Sequence, residues 1–343
     1  MINDDTYIIP DTEVESTKST VFPKRFPALA QLAILFVVLA VIFSATFLPG
    51  IVKNKIVARN PEIVPDAPLV IAGTSTAIIP IETIALVKVK ARSAFVYDVR
   101  TKRVLYQKDA DAVLPLASIT KLMTALVAHE LVEAKQTVTI PKAAVQQDGV
   151  SGLREGEKMT TQALSDYAVL ASSNDAAFAL ATAVGAVLDP QANANQTFVN
   201  SMNIRATELG LPNLTFYNPT GLDLNTTQPG AVGTAREVSF LLDYILANYP
   251  SVLEPTTFTR TRVYSSDGAY HDAENTNPII SQIPNLLGSK TGYTDLAGGN
   301  LTIAFDAGFN RPIIVTVLGS SYDERFSDVL GLVQAITNAL ETK

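Results

Sequence analysis

One stretch limits the architecture more than any other. From Ala28 to Leu48 the chain reads ALAQLAILFVVLAVIFSATFL, without a single charge. At 1.5 Å per residue, an uncharged run of this length crosses a hydrocarbon core about 30 Å thick as one helix. It predicts a single transmembrane anchor over 28–48, between an N-terminal tail over 1–27 and a spacer over 49–85 ahead of a folded domain over 86–343. A cleaved secretory signal is the competing reading, but the polar leader is long and the small-x-small cleavage site is poor. Lys18, Lys24 and Arg25 precede the run while Lys53, Lys55 and Arg59 follow it, so charge counting alone leaves the topology open. The spacer holds Asn60-Pro61, Pro65, Pro68, Pro80 and a GTSTA patch, a mixture of breakers and β-branched residues with no helical period.

The remaining length suffices for two packed lobes. A net charge of −7 with no basic stripe argues against a nucleic-acid partner, whose phosphates repel an acidic surface. The chain has no cysteine, which excludes a thiol nucleophile, a thiolate metal site and a disulfide framework. Its two histidines, His129 and His271, stand outside any HExxH-like cluster. The expected chemistry therefore needs neither metal nor cofactor.

Hydropathy patterning predicts an α+β fold. SAFVYDVRTKRVLYQ, from Ser93 to Gln107, reads as a hairpin turning at Arg100-Thr101-Lys102. Helical patterns follow, with Leu164, Tyr167, Ala168 and Ala171 on one face, then NDAAFALATAVG, NQTFVNSMNIRATELG and AREVSFLLDYILANY. Strand signals return in TFTRTRVYS, GNLTIAFDA and RPIIVTVLG. A closing helix carries Phe326, Val329, Leu330, Val333, Ile336 and Leu340 at spacings of three and four, a stripe suited to packing on a sheet. Strands at both ends with helices between them predict an antiparallel sheet built from the two termini, flanked by helices, with an α-helical lobe inserted. A ligand cleft belongs between the lobes.

Three short motifs carry the chemistry. Ser118 and Lys121 stand at i and i+3, on one face if a helix starts near Ser118. Such a pair occurs on the order of once by chance at ordinary composition, so alone it says little. Its setting says more, because LMTALVAHELV follows, and a lysine opening a buried helix is costly to desolvate unless it is partnered or gives up its proton. A neutral amine beside a hydroxyl is a general base. Ser172-Ser173-Asn174, at the junction of two helical patterns, is by itself an ordinary helix N-cap. Lys290-Thr291-Gly292 by itself is a solvated strand edge, with Gly292 marking a bulge or a close backbone approach. Together and in this order they match the S-x-x-K, S-x-N and K-T-G set of penicillin-binding proteins and serine β-lactamases.

The sequence resembles the serine-type D-alanyl-D-alanine carboxypeptidases, the low-molecular-weight penicillin-binding proteins of peptidase family S11, from about Lys90 onward. Beyond the motifs, FYNPTGLD, GTAREVS and ENTNPI ahead of GSKTGYTDLAGGNLTIAF are similar to the family pattern. The resemblance implies a β-lactamase/transpeptidase-like fold and an acyl-enzyme on Ser118, with Lys121 as its base. By the same resemblance Ser172 would relay a proton to the leaving amine and Asn174 would hold the substrate amide. Lys290 would help keep Lys121 neutral and, with Thr291, grip a terminal carboxylate, while the N–H groups of Ser118 and Tyr293 would form the oxyanion hole. Peptidoglycan stem peptides are then the substrates and β-lactams the covalent inhibitors. The implied location is the bacterial cell membrane, with the N-terminal tail over 1–27 cytoplasmic and the domain on the extracytoplasmic side, tethered through the N-terminal helix.

The chain departs from the class A β-lactamase pattern in two places. It has no Glu-x-x-Leu-Asn type segment between Asn174 and Lys290, and Ser173 stands where that pattern has Asp. The missing segment argues against efficient antibiotic hydrolysis and for slow release of a β-lactam acyl-enzyme. The alternatives are a DD-endopeptidase or transpeptidase acting on cross-linked peptides, and a catalytically silent, membrane-tethered wall-binding protein, which would have no need for all five polar side chains.

Overall fold

The structure, a computed structural model, describes residues 84–341 apart from 85, 150 and 309. The tail and the apolar run over 28–48 lie outside the described residues, as does nearly all of the spacer. Among the described residues no helix is long and apolar enough to cross a membrane.

Strands β1 (Ser93–Asp98) and β2 (Arg103–Lys108) form the expected hairpin, and Lys102 takes the left-handed φ of 56° that closes it. Five short strands follow at intervals: β3 (Leu114–Pro115), β4 (Thr137–Thr139), β5 (Lys158–Thr160), β6 (Thr215–Phe216) and β7 (Ala231–Gly233). A separate hairpin joins β8 (Arg260–Tyr264) to β9 (Tyr270–Glu274). Three long strands finish the sheet: β10 (Leu286–Thr294), β11 (Gly298–Asp306) and β12 (Pro312–Ser320). The helices are α1 (Lys121–Leu131), α2 (Thr161–Leu170), α3 (Asn174–Leu188), α4 (Ala194–Glu208), α5 (Ala235–Asn248), α6 (Pro250–Leu253) and α7 (Glu324–Glu341).

The five-stranded sheet runs β10-β11-β12-β1-β2, antiparallel throughout, so both ends of the domain sequence build it as expected. Strand β12, inside the sheet, is buried on both faces, which is why PIIVTVLGS reads as a nearly continuous apolar run. Val96, Ile303 and Val315 face α7, where Val329, Val333 and Ile336 of the expected stripe are buried and Phe326, Leu330 and Leu340 pack partly buried against them. Phe95, Tyr97 and Ile314 face the helical lobe, whose core holds Leu122, Leu126, Leu164, Leu180, Phe198 and Met202. Each such side chain contributes roughly 1.5–3 kcal/mol on leaving water. Asp328 fastens the incoming chain to α7, accepting from the N–H groups of Lys90 and Ala91 at 2.8 Å each. Strand β10 is the edge nearest the lobe, lying against the turn that carries Ser118.

Candidate active site

The first motif does not open with an α-helix. Ala117–Thr120 forms a 3₁₀ turn, and α1 starts at Lys121. Ala117 holds a left-handed φ of 49°, an uncommon conformation for a residue with a Cβ and one that recurs where strain serves function. This turn leaves Ser118 partly exposed while Lys121 is fully buried.

The Lys121 ammonium nitrogen lies 2.8 Å from Ser118 Oγ, 2.7 Å from Asn174 Oδ1 and 2.7 Å from the carbonyl of Thr220. The orientation of the Asn174 amide is set independently, because its Nδ2 donates to the Asp148 carbonyl at 2.6 Å. Two of the three positions around Lys121 Nζ thus face oxygens that can only accept. A neutral amine has two N–H bonds and one lone pair, so placing both hydrogens on those acceptors turns the lone pair toward the Ser118 hydroxyl. Burial first, and then the charge of Lys290, hold the Lys121 ammonium well below its ordinary range. Hydroxyl and amine are in place together.

The second motif divides its labour. Ser173 is the N-cap of α3, accepting from the Ala176 N–H at 3.1 Å, so the helix start does not occupy Ser172. Ser172 itself sits at φ 58° and accepts from Lys290 Nζ at 2.9 Å. The capping role goes to the very position where the β-lactamase pattern has aspartate.

Lys290 corrects the solvated-edge reading of the third motif. Strand β10 is an edge, yet Lys290 is 1% exposed, its Nζ held by Ser172 and by the Thr291 carbonyl at 2.9 Å. Burial, aided by the charge of Arg325, lowers its ammonium to about 7. Gly292 is the close approach foreseen: a Cβ there would lie 2.8 Å from the Leu116 carbonyl oxygen and 3.2 Å from the Ile119 nitrogen. Its neighbour Tyr293 is 47% exposed beside that turn.

The eight candidate residues fall in one region: Lys121 joins Ser118 and Asn174 by hydrogen bonds, Lys290 joins Ser172 and acts on Lys121 through its charge, and Thr291, Gly292 and Tyr293 follow Lys290 along the strand packed on the Ser118 turn. The histidines do not join them. His271 pairs with Glu157 at 2.6 Å, and His129 packs edge-on against Tyr249. No group of His, Asp or Glu able to hold a metal ion occurs among the described residues.

A family model described as D-alanyl-D-alanine carboxypeptidase, peptidase S11, matches residues 80–321. The chain belongs to this family. Among curated S11 relatives, a Bacillus subtilis D-alanyl-D-alanine carboxypeptidase is 30% identical over 74% of this chain, which spans 64% of that protein's length. An Escherichia coli D-alanyl-D-alanine endopeptidase is 29% identical over 74% of this chain and 78% of its own. Among solved structures, penicillin-binding protein D2 of Listeria monocytogenes with ampicillin bound is 28% identical, covering 73% of this chain and 98% of that one at a TM-score of 0.62. The low-molecular-weight penicillin-binding proteins of family S11 and this chain thus share an α+β, transpeptidase-like fold.

Sequence reading of this S11 chain missed the support around the site. Asn218 Oδ1 accepts from Thr220 N at 3.1 Å and Gly221 N at 2.7 Å, which shapes the loop that presents the Thr220 carbonyl to Lys121. Asp223 of the same loop receives Thr294 Oγ1 at 3.0 Å and Leu296 N at 3.2 Å, tying it to β10. Thr276 meets Thr291 hydroxyl to hydroxyl at 2.5 Å, and Arg325 reaches under the strand to donate to the Gly292 carbonyl at 2.6 Å. FYNPTGLD and ENTNPI were visible as family-like stretches, but a carbonyl contact leaves no mark on residue type.

Proposed function

We propose that this protein is a serine DD-carboxypeptidase that removes the terminal D-alanine from peptidoglycan stem pentapeptides through an acyl-enzyme on Ser118. The observation that carries the reading is the Lys121 amine, 2.8 Å from Ser118 Oγ with its other two bonds fixed on acceptors.

In this mechanism the Ser118 proton passes to Lys121 Nζ as Oγ forms its bond to the carbonyl carbon of the penultimate D-alanine. The N–H groups of Ser118 and Tyr293 take the developing oxyanion. Ser172, whose oxygen already accepts from Lys290, relays a proton to the departing amine, giving up its hydroxyl proton and recovering one from the Lys121 ammonium, so that both groups return to their starting state. The C–N bond breaks, D-alanine leaves, and water then hydrolyses the ester and restores Ser118. The apolar run over 28–48 anchors the protein in a bacterial membrane, with the domain on the wall side.

Lys290 favours the carboxypeptidase reading, because a buried cation beside the Thr291 hydroxyl suits a free carboxylate. Lys290→Ala is expected to reduce kcat/KM for peptides with a free terminal carboxylate at least tenfold more than for their amides, and equal losses would rule out the grip. In the unliganded protein Lys290 carries its charge below about pH 7. The alkaline fall in kcat/KM should therefore begin near there, while that in kcat lies higher because a bound carboxylate favours the ammonium. Removing Lys290 also removes a charge that disfavours protonation of Lys121, so the acid limb should move to higher pH.

Product analysis tests the reaction itself. The pentapeptide should yield tetrapeptide and D-alanine faster than a cross-linked dimer is opened. Preference for the dimer would make the protein an endopeptidase, and cleavage of neither would favour the silent wall-binding reading.

A further inference from the structure

A second depression lies beside the helix that leads into the second motif. A cavity of about 420 Å3 opens between α2 and β8, lined in part by Gln162, Asp166, Arg262, Tyr264 and Ser265. Asp166 stands one helical turn before Leu170, roughly 6 Å along the axis, and Ser172 follows the end of that helix.

The carboxylate of Asp166 is partly buried; among the described residues it makes no ion pair, and its one hydrogen bond comes from the neutral amide of Gln162, at 2.7 Å. Burial raises this carboxyl to about 6, the Gln162 bond opposes that rise, and the charge of Glu254 adds to it. The nearby cation is engaged elsewhere, since Arg262 stacks 4.4 Å over the Tyr270 ring and reaches Asp272 at 3.4 Å. Tyr264 is 55% exposed, its ring 6.1 Å from that of Tyr270.

The set selects its ligand. A phosphate or carboxylate would meet the Asp166 charge. A tightly held calcium ion draws on several carboxylate and carbonyl oxygens, whereas a single carboxylate lines this cavity beside the Arg262 guanidinium. A primary ammonium on an aliphatic stem fits throughout, with N–H donors for Asp166, methylenes for the face of Tyr264 and a cation near an aromatic ring.

We propose that this cavity is a subsite for a peptide bearing a free primary ammonium group, which Asp166 holds while Tyr264 covers its aliphatic stem. The peptide class rests on the peptidase reading. The ammonium could belong to the stem peptide being cleaved or to a separate wall peptide.

Two arms distinguish these sources. In the first, protein acylated with penicillin is titrated by NMR with Nα-acetyl-lysine methylamide and with its Nε-acetylated twin. In the second, kcat/KM is compared for pentapeptides carrying lysine or Nε-acetyl-lysine at the third residue. A separate peptide gives amine-dependent binding in the first arm, and the cleaved peptide gives an amine-dependent rate in the second. In either arm Asp166→Asn should reduce the preference at least tenfold, with melting temperature and penicillin acylation unchanged. Tyr264→Ala, at an exposed position, should weaken it as well. The proposal is overturned if amine and acetylated twin behave alike in both arms, or if Asp166→Asn leaves their difference intact. Failure of the peptidase reading shows itself separately, as absence of both penicillin adduct and pentapeptide cleavage, and the titration is then run on unmodified protein with the same two outcomes.

Discussion

Replacing Lys121 with alanine is expected to lower the rate of acylation by about 10²–10⁴-fold, the range a positioned general base supplies. The basis is geometric: among the described residues Lys121 Nζ is the one basic group bonded to Ser118 Oγ, and the Asn174 and Thr220 oxygens fix which way its lone pair points. The substitution also strips those two oxygens of a donor, so some loss of stability is expected with it. Stopped-flow acylation by a chromogenic cephalosporin, alongside a thermal melt, separates the effects. Normal acylation in a folded variant would place the base elsewhere.

Gly221→Ala is expected to reach the same serine without touching it. Gly221 has φ 80°, and a Cβ there would lie 1.9 Å from the Ala117 carbonyl oxygen and 2.7 Å from Thr120 Oγ1. Real atoms do not approach so closely, and the obstacle is backbone rather than a flexible side-chain end. The strained backbone alone costs roughly 1–3 kcal/mol. The larger consequence is kinetic, because the turn that must move carries Ser118, and a displacement near 1 Å is worth on the order of 10²-fold in rate. A variant that melts several degrees lower and acylates far more slowly fits this reading. Unchanged acylation would show that the turn tolerates the shift.

The second effect arises in a loop that sequence reading left without a role, and the same loop presents the Thr220 carbonyl to Lys121. The sheet was legible because β1, β11 and β12 are strongly apolar and because the β1/β2 turn has its own signature at Arg100-Thr101-Lys102. The stripe on α7 was legible for the same kind of reason, since spacings of three and four survive in the sequence. Strands of two or three residues such as Leu114–Pro115 and Ala231–Gly233 have no period to read, and β9 is too polar to announce itself.

The candidate site divides in the same way. Its side chains were legible through three motifs whose joint occurrence outweighs their separate commonness. Burial of Lys290 was not, because a lysine in a strand pattern reads as solvated until Ser172, more than a hundred residues earlier, is placed against it. Nor could the sequence show that Ser173 would cap α3 and leave Ser172 to Lys290. The contacts that aim Lys121, from the Thr220 carbonyl directly and from the Asp148 carbonyl through Asn174, are backbone atoms that any residue type could have supplied.

The central claim is that Ser118 is the nucleophile, and one experiment addresses it directly. The folded domain is incubated with a fluorescent penicillin, digested, and the labelled peptide sequenced by mass spectrometry, with Ser118→Ala as the control. The expected result is a stable adduct on Ser118 that the variant does not form. An adduct on another residue, or undiminished labelling of Ser118→Ala, would contradict the account.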